Sequence, residues 1–124
     1  MLLRERSANS FIILVGEWSG AMTDCAKHLN GYGIGARYDG TYPKSWYVGK
    51  CAGQSDIASW SAQRRSDMRS YIEAQIETYE NRANGWIWWN FKTQGAGEWD
   101  AFALIDAGIF PQPLTDRKFP QACA

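Results

Sequence analysis

The chain has 124 residues, which is enough for one domain and too few for two. Its 13 Lys and Arg residues balance its 13 Asp and Glu residues, so its net charge favours neither a nucleic acid nor an anionic membrane as partner. Hydrophobic residues make up 45% of the chain and charged residues 21%, a globular composition that argues against disorder.

Aromatic residues are the unusual part of the composition. The chain contains 7 Trp, 6 Tyr and 5 Phe residues. A hydrophobic core can accommodate many rings, but seven indoles in so short a chain also indicate a groove lined for sugars or other flat ligands.

The three cysteines are Cys25, Cys51 and Cys123, and none of them forms a Cys-x-x-Cys pair. His28 is the only histidine, so we expect no metal site. An odd count in a chain of secreted type predicts one disulfide and one thiol whose partner lies elsewhere.

The N-terminal residues 1–6 are charged, and the apolar stretch behind them is too short for a signal peptide or a membrane-spanning helix. The chain therefore has the content of an extracellular protein without an export signal. This mismatch predicts a truncated chain.

The first predicted strand, residues 11–16, is a short apolar run that Gly16 ends. Because the run does not alternate, it predicts a strand covered on both faces, as in parallel sheets. Glu17 follows directly, beside Trp18. An acid next to an indole at a strand end suits sugar chemistry, since the carboxylate can attack an oxocarbenium-like carbon while the ring supports the sugar face. A salt-bridged or helix-starting acid is the alternative.

A long loop rich in Gly and Tyr is predicted for residues 30–55, after a short helical turn at 20–30. A loop of this length inside a compact domain usually has a function or is held by a cross-link. Cys25 and Cys51 lie near its two ends and could form such a cross-link as a disulfide.

A helix is predicted from Ser61 to Asn81, with Ser59 or Ser61 as its N-cap. Its apolar stripe is marked by Met68, Ile72, Ile76 and Tyr79, whereas Glu73, Glu77 and Glu80 are expected to be solvated.

A second buried strand is predicted over 85–91 and a last helix over 98–107, with Gly108 as its stop. Glu98 opens that helix, where an acid is favoured by the helix dipole, so a structural role is expected for it. Strands that alternate with helices predict parallel βα units. Two such units leave two open sheet edges, which is the pattern of a piece of a larger sheet or barrel.

Seven motifs in one order allow a comparison with a known family: Val15–Ser19, Thr23–Lys27 with Leu29–Gly31, Gly35–Gly40, Tyr71–Gln75, Gly85–Trp89, Phe91–Thr93 and Phe110–Arg117. They resemble the C-terminal third of fungal exo-1,3-β-glucanases, which are secreted retaining glycosidases of glycoside hydrolase family five. The resemblance covers about residues 13–123. Residues 1–10 do not match.

The resemblance implies an α/β fold in which residues 11–124 are the C-terminal part of a (β/α)₈ TIM barrel. The strand at 11–16 then corresponds to the seventh strand and 85–91 to the eighth. Both strand ends would lie at the C-terminal face, where barrel enzymes carry their active sites.

The resemblance also implies roles for single residues. Glu17 matches the nucleophile, Trp89 the ring under the sugar at the cleavage subsite, and Asn30 a polar residue that contacts the neighbouring sugar. Arg37 and Tyr42 match the loop over the site, although each could equally hold that loop's own backbone. Trp18 is a further candidate for substrate binding. Cys25 and Cys51 match a disulfide of the family, and Cys123 matches a cysteine whose partner lies upstream of the matching region.

The activity that the resemblance implies is release of glucose from the ends of a β-1,3-glucan or oligosaccharide. It implies no cofactor and no nucleic-acid or membrane partner. It also implies a monomer when the protein is complete, and an extracellular or cell-wall location.

The chain departs from the family pattern in three ways. It contains no Asn-Glu-Pro, the motif that carries the family's general acid/base, while Gln94 replaces a usual Glu and Ile34 a common Arg. We therefore expect the chain to be inactive alone. The alternatives are a non-catalytic glucan-binding remnant that uses Trp18, Trp86, Trp88 and Trp89, and an inactive truncated gene product.

Overall fold

The computed structural model describes residues 11–120, which form a small mixed α/β unit. Two parallel strands pair side by side, and each is followed along the chain by a helix. The elements are β1 (Leu14–Trp18), a 3₁₀ turn (Ile57–Ser59), α1 (Ala62–Arg82), β2 (Gly85–Trp88), a second 3₁₀ turn (Gly97–Trp99) and α2 (Ala101–Asp106). The prediction of parallel βα units is confirmed. None of the helices in this range is both long and apolar enough to cross a membrane.

Helix α1 carries the core, as its sequence pattern predicts. The Ser61 hydroxyl accepts a hydrogen bond from the Arg64 N–H at 3.1 Å and so caps the helix. Met68, Ile72 and Ile76 have no exposed surface. They pack with a few residues from outside the helix: Trp60, Leu104, Ile109 and Phe110.

The first strand is displaced from its predicted position. It runs from Leu14 to Trp18, so it passes through Gly16 instead of ending there. Val15 pairs with Trp86 and Glu17 with Ile87, which leaves Gly16 as an extra residue, a β-bulge.

The prediction that both strands are buried on both faces is wrong for residues 11–120. Phe11 is 81% exposed, Leu14 66% and Ile87 55%. One face of the sheet packs on the core, whereas no element of the described range covers the other face or either edge.

The predicted helical turn at 20–30 is also wrong, because the structure has a series of turns there. His28 adopts a left-handed conformation with φ 65° and Gly31 has φ 115°, which a right-handed helix does not allow. The Thr23 hydroxyl also accepts a hydrogen bond from the Cys25 N–H, in place of a helical carbonyl.

The last predicted helix is divided in two. A 3₁₀ turn, Gly97–Trp99, comes before α2, and Asp100 caps α2 by accepting a hydrogen bond from the Ala103 N–H at 2.9 Å. Gly108 has φ +68° and follows the end of α2, which confirms it as the stop.

Glu73 is the acid for which the expectation of a solvated side chain is wrong. It is 1% exposed and pairs with Arg69 of the same helix. It also accepts hydrogen bonds from the N–H groups of Lys118 and Phe119, at 3.0 and 2.7 Å. The chain after α2 therefore returns to α1 and covers this carboxylate. Glu77 is exposed, as predicted.

The disulfide between Cys25 and Cys51 is confirmed, with Cα atoms 5.2 Å apart. Cys123 lies outside the described residues.

Because the Cys25–Cys51 bond closes a loop with a sequence separation of 26, we expect the Cys25→Ser/Cys51→Ser double variant to lose about 3–4 kcal/mol in free energy of unfolding. Urea unfolding of both proteins measures this loss. A Cys51–Cys123 bridge in a peptide map of the wild type would contradict the assignment.

Candidate active site

The bulge at Gly16 determines which face of the sheet carries Glu17. Residues paired in a parallel sheet point to the same face, so Glu17 shares the face of Ile87. Without the extra residue, Glu17 would pair with Trp88 and lie on the opposite face. The bulge therefore directs the Glu17 carboxylate away from the core, where it is exposed.

The opposite face of the sheet is a tryptophan layer that packs on α1. Trp18 makes edge-to-face contacts with Trp86, Trp88 and Tyr79 of α1, with ring centroids 4.8 to 5.4 Å apart. Trp88 makes a further such contact with Phe110 at 4.9 Å. The structure thus places Trp18 with the core and does not bring it to the face of Glu17.

Trp89 comes directly after β2, at a bend in the chain. Its N–H donates to the Trp18 carbonyl at 2.8 Å, which fixes it beside the end of β1. Trp89 is 46% exposed. The Glu17 carboxylate and Trp89 are thus both exposed where two paired parallel strands end.

Asn30 and Arg37 belong to a polar cluster inside the disulfide-bonded loop. The Asn30 amide donates to Asp24 Oδ2 at 2.8 Å and to the Gly35 carbonyl at 3.1 Å, and it accepts from Arg37 at 2.8 Å. Arg37 also lies 3.5 Å from Asp24. The Asn30 side chain thus holds the backbone of its own loop, whereas the Arg37 guanidinium contacts the side chains of Asn30 and Asp24.

Asp24 is the centre of this cluster, and the sequence analysis missed its role. Burial alone would raise its pKa, but it accepts hydrogen bonds from the N–H groups of Arg37 and Tyr38 and from Asn30. These bonds outweigh burial and lower the pKa of Asp24 to about 2. A Thr-Asp pair before a glycine-rich loop is the signal that could have indicated this, because Asp readily accepts loop N–H groups.

Tyr42 stacks under Arg37, whose guanidinium carbon lies 3.8 Å from the ring centroid. Both residues line a cavity of about 430 Å³ on the surface of the loop, beside Trp46, which is 80% exposed. The cavity has the aromatic and charged lining that suits a sugar with many hydroxyl groups. Within residues 11–120, no group of three or more His, Cys, Asp or Glu side chains is arranged to hold a metal ion.

No protein-family model matches the chain, but individual curated proteins do. The chain is 52% identical over 115 residues to the glucan 1,3-beta-glucosidase of Kluyveromyces lactis. These residues cover 90% of the chain and 27% of that protein. It is 51% identical over 112 residues to the glucan 1,3-beta-glucosidase I/II of Saccharomyces cerevisiae, and these residues cover 87% of the chain and 25% of that protein. The predicted resemblance is confirmed.

A third relative is the probable glucan 1,3-beta-glucosidase A of Aspergillus fumigatus, at 52% identity over 114 residues, with 90% of the chain and 27% of the relative covered. The chain thus spans about a quarter of the length of the curated relatives it matches.

Proposed function

We propose that this chain is the part of a retaining glucan 1,3-β-glucosidase that carries the catalytic nucleophile. The whole enzyme releases glucose from the ends of β-1,3-glucan. One observation carries the proposal. Glu17 and Trp89 are both exposed at the carboxyl ends of two paired parallel strands, in a chain that is about 50% identical to proteins named glucan 1,3-beta-glucosidase.

The proposed fold of the whole enzyme is a (β/α)₈ barrel in which β1 and β2 are the seventh and eighth strands, within a domain that spans residues 11–124. The parallel pairing of β1 and β2 supports this, as do the uncovered sheet face and edges. Barrel active sites lie at the carboxyl ends of the strands, which is where Glu17 and Trp89 lie here.

In the proposed mechanism, Glu17 attacks the anomeric carbon and forms a covalent glycosyl-enzyme, while the Trp89 ring supports the sugar from below. A second carboxylic acid protonates the leaving oxygen and later activates water, at about 5–5.5 Å from the nucleophile in retaining enzymes. We assign that acid to a segment other than residues 11–120. The cavity beside Arg37 and Tyr42 would take a more distant part of the glucan, with Asn30 holding its wall. The disulfide agrees with a secreted or cell-wall enzyme.

A segment exchange tests this function. Residues 11–120 replace the matching segment of the Kluyveromyces lactis enzyme, and glucose release from laminarin, a β-1,3-glucan, is measured for this chimera and for the 124-residue chain. We expect the chimera to be active. We expect no hydrolysis by the chain alone, because general acid catalysis is typically worth 10²–10⁴-fold and the chain has no Asn-Glu-Pro motif.

Two outcomes would contradict the proposal. A chimera that folds, as judged by circular dichroism, but releases no glucose would overturn the function. Glucose release by the chain alone that Glu17→Gln abolishes would overturn the assignment of the acid to another segment. Laminarin binding by the chain without hydrolysis would favour the glucan-binding alternative for the chain by itself.

A further inference from the structure

The segment Gly97–Asp100 joins the ends of both strands. Its Trp99 carbonyl accepts hydrogen bonds from the Asn90 N–H at 2.8 Å and from the Trp88 indole at 3.1 Å, and so holds the residues on either side of Trp89. Gly20, two residues after β1, packs so closely that a Cβ there would lie 3.3 Å from the Glu98 carbonyl oxygen. The segment therefore contacts the chain just beyond both Glu17 and Trp89.

The Glu98 side chain connects this segment to the chain that follows the disulfide-bonded loop. Glu98 is 1% exposed, and its Oε1 accepts a hydrogen bond from the Ser55 hydroxyl at 3.1 Å. The Gly97 N–H donates to the Ser55 carbonyl at 3.0 Å, so Ser55 holds the segment at two points. Ser55 lies four residues after Cys51, just beyond the loop that the disulfide closes.

A negative charge on Glu98 would be poorly compensated. Its second oxygen, Oε2, is buried and finds no hydrogen-bond donor within residues 11–120. Arg64 of α1 is the charged side chain that acts on it, but that guanidinium donates to the Gln54 carbonyl at 2.9 Å and lies 4.5 Å from the Trp60 ring centroid. Burial raises the pKa of Glu98, and this effect exceeds the opposing ones of its own backbone N–H, Ser55 and Arg64.

We propose that Glu98 is a positioning residue whose buried carboxyl group holds the ends of β1 and β2 against the segment that follows the disulfide-bonded loop, and so sets the position of Trp89 relative to Glu17. The link to Trp89 as a sugar platform rests on the proposed function. The hold of Glu98 on the strand ends does not rest on it.

The first test measures stability against pH for the 124-residue chain and its Glu98→Gln variant. Below the ordinary pKa of 4.5, the acid is neutral in the folded and the unfolded chain. As the pH rises from 4.5 towards the raised pKa, the unfolded chain ionises while Glu98 in the folded chain keeps its proton, so the wild type loses stability until that raised pKa is passed. Glu98→Gln stays neutral at every pH, so its Tm relative to that of the wild type should rise as the pH is raised above 4.5.

Glu77→Gln is the matched control, since Glu77 is an exposed acid of α1. We expect its Tm to follow that of the wild type at every pH. If Glu98→Gln also follows the wild type, the buried environment does not disfavour a charge on Glu98 and the proposal is overturned.

The second test separates positioning from stability alone. The indole N–H signals of the tryptophans are followed by ¹H–¹⁵N NMR in the folded chain as the pH rises. In the wild type, the Trp88 signal should shift with the same midpoint as the Glu98 carboxyl carbon, because Trp88 donates to the segment that Glu98 holds. In Glu98→Gln, that shift should vanish. An unchanged Trp88 signal while Glu98 titrates would overturn the positioning role. Neither test uses a glucan, so their failure is distinct from failure of the proposed glycosidase.

Discussion

Glu17→Ala in the chimera that carries residues 11–120 should lower kcat for laminarin hydrolysis by several orders of magnitude. The variant removes the group that forms the covalent intermediate, and removal of a nucleophile has effects of that size in enzymes of this kind. Within residues 11–120 the carboxylate is exposed, so its loss leaves no buried partner in this segment unpaired. Kinetics on laminarin and on an aryl β-glucoside with a good leaving group measure the effect.

Two further variants separate this effect from general damage. Glu77→Ala, an exposed acid of α1, should leave kcat within about twofold. Trp89→Ala removes only ring stacking and shape, so it should cost about 10–100-fold, or about 1–3 kcal/mol. Azide should partly restore Glu17→Ala, because a small anion can attack from the vacated side. Activity of Glu17→Ala within tenfold of the unsubstituted chimera on both substrates would show that Glu17 is not the nucleophile.

Glu73→Ala should destabilise the fold by about 3–5 kcal/mol, the largest loss of stability that we expect from one substitution. The variant removes one of the two carboxylates that pair with the buried guanidinium of Arg69, which is 3% exposed, and leaves only that of Asp116 at 3.1 Å. It also removes the acceptor of two N–H groups, those of Lys118 and Phe119. The segment after α2 would then lose its attachment to α1 at this point. Urea unfolding at pH 7 measures the loss, with Glu77→Ala as the control on the same helix.

The same carboxylate predicts loss of stability in acid. Burial alone would raise the pKa of Glu73, but the N–H groups of Lys118 and Phe119 and the guanidinium of Arg69 outweigh it and lower the pKa below 4.5. Its contribution is therefore present above pH 4.5 and lost as the pH falls through the lowered value. At pH 7, Glu73→Gln should lose less free energy of unfolding than Glu73→Ala. In acid, the free energy of unfolding of Glu73→Gln should fall less steeply with pH than that of the wild type. Equal stability of Glu73→Ala and Glu77→Ala would contradict this account.

Helix α1 could be predicted to within one residue because its signals are local. Ser61 stands where a cap is needed, and three buried residues recur at a spacing of four. The acid Glu73 was the exception on that helix. It follows the polar pattern of the exposed side, and only the return of a segment about 45 residues later buries it.

The strand faces could not be predicted from the sequence. The run at 11–15 is apolar throughout, so no alternation indicates which side meets the core. The sequence predicts that Gly16 ends the strand, but Gly16 is a bulge. A Cβ there would meet nothing within 4 Å, so no steric need for glycine marks the position. The residue types at the candidate site were predictable, whereas the face that carries Glu17 depends on a register that only the paired strand defines.

Trapping of the covalent intermediate tests the central claim most directly. The active chimera is incubated with a 2-deoxy-2-fluoro-β-glucosyl fluoride, which slows release of the glycosyl-enzyme, and the labelled peptide is sequenced by mass spectrometry. We predict one fluoroglucosyl group per chain, attached to Glu17. A label on another carboxylate would contradict the account, as would the absence of any label in a chimera that still releases glucose from laminarin.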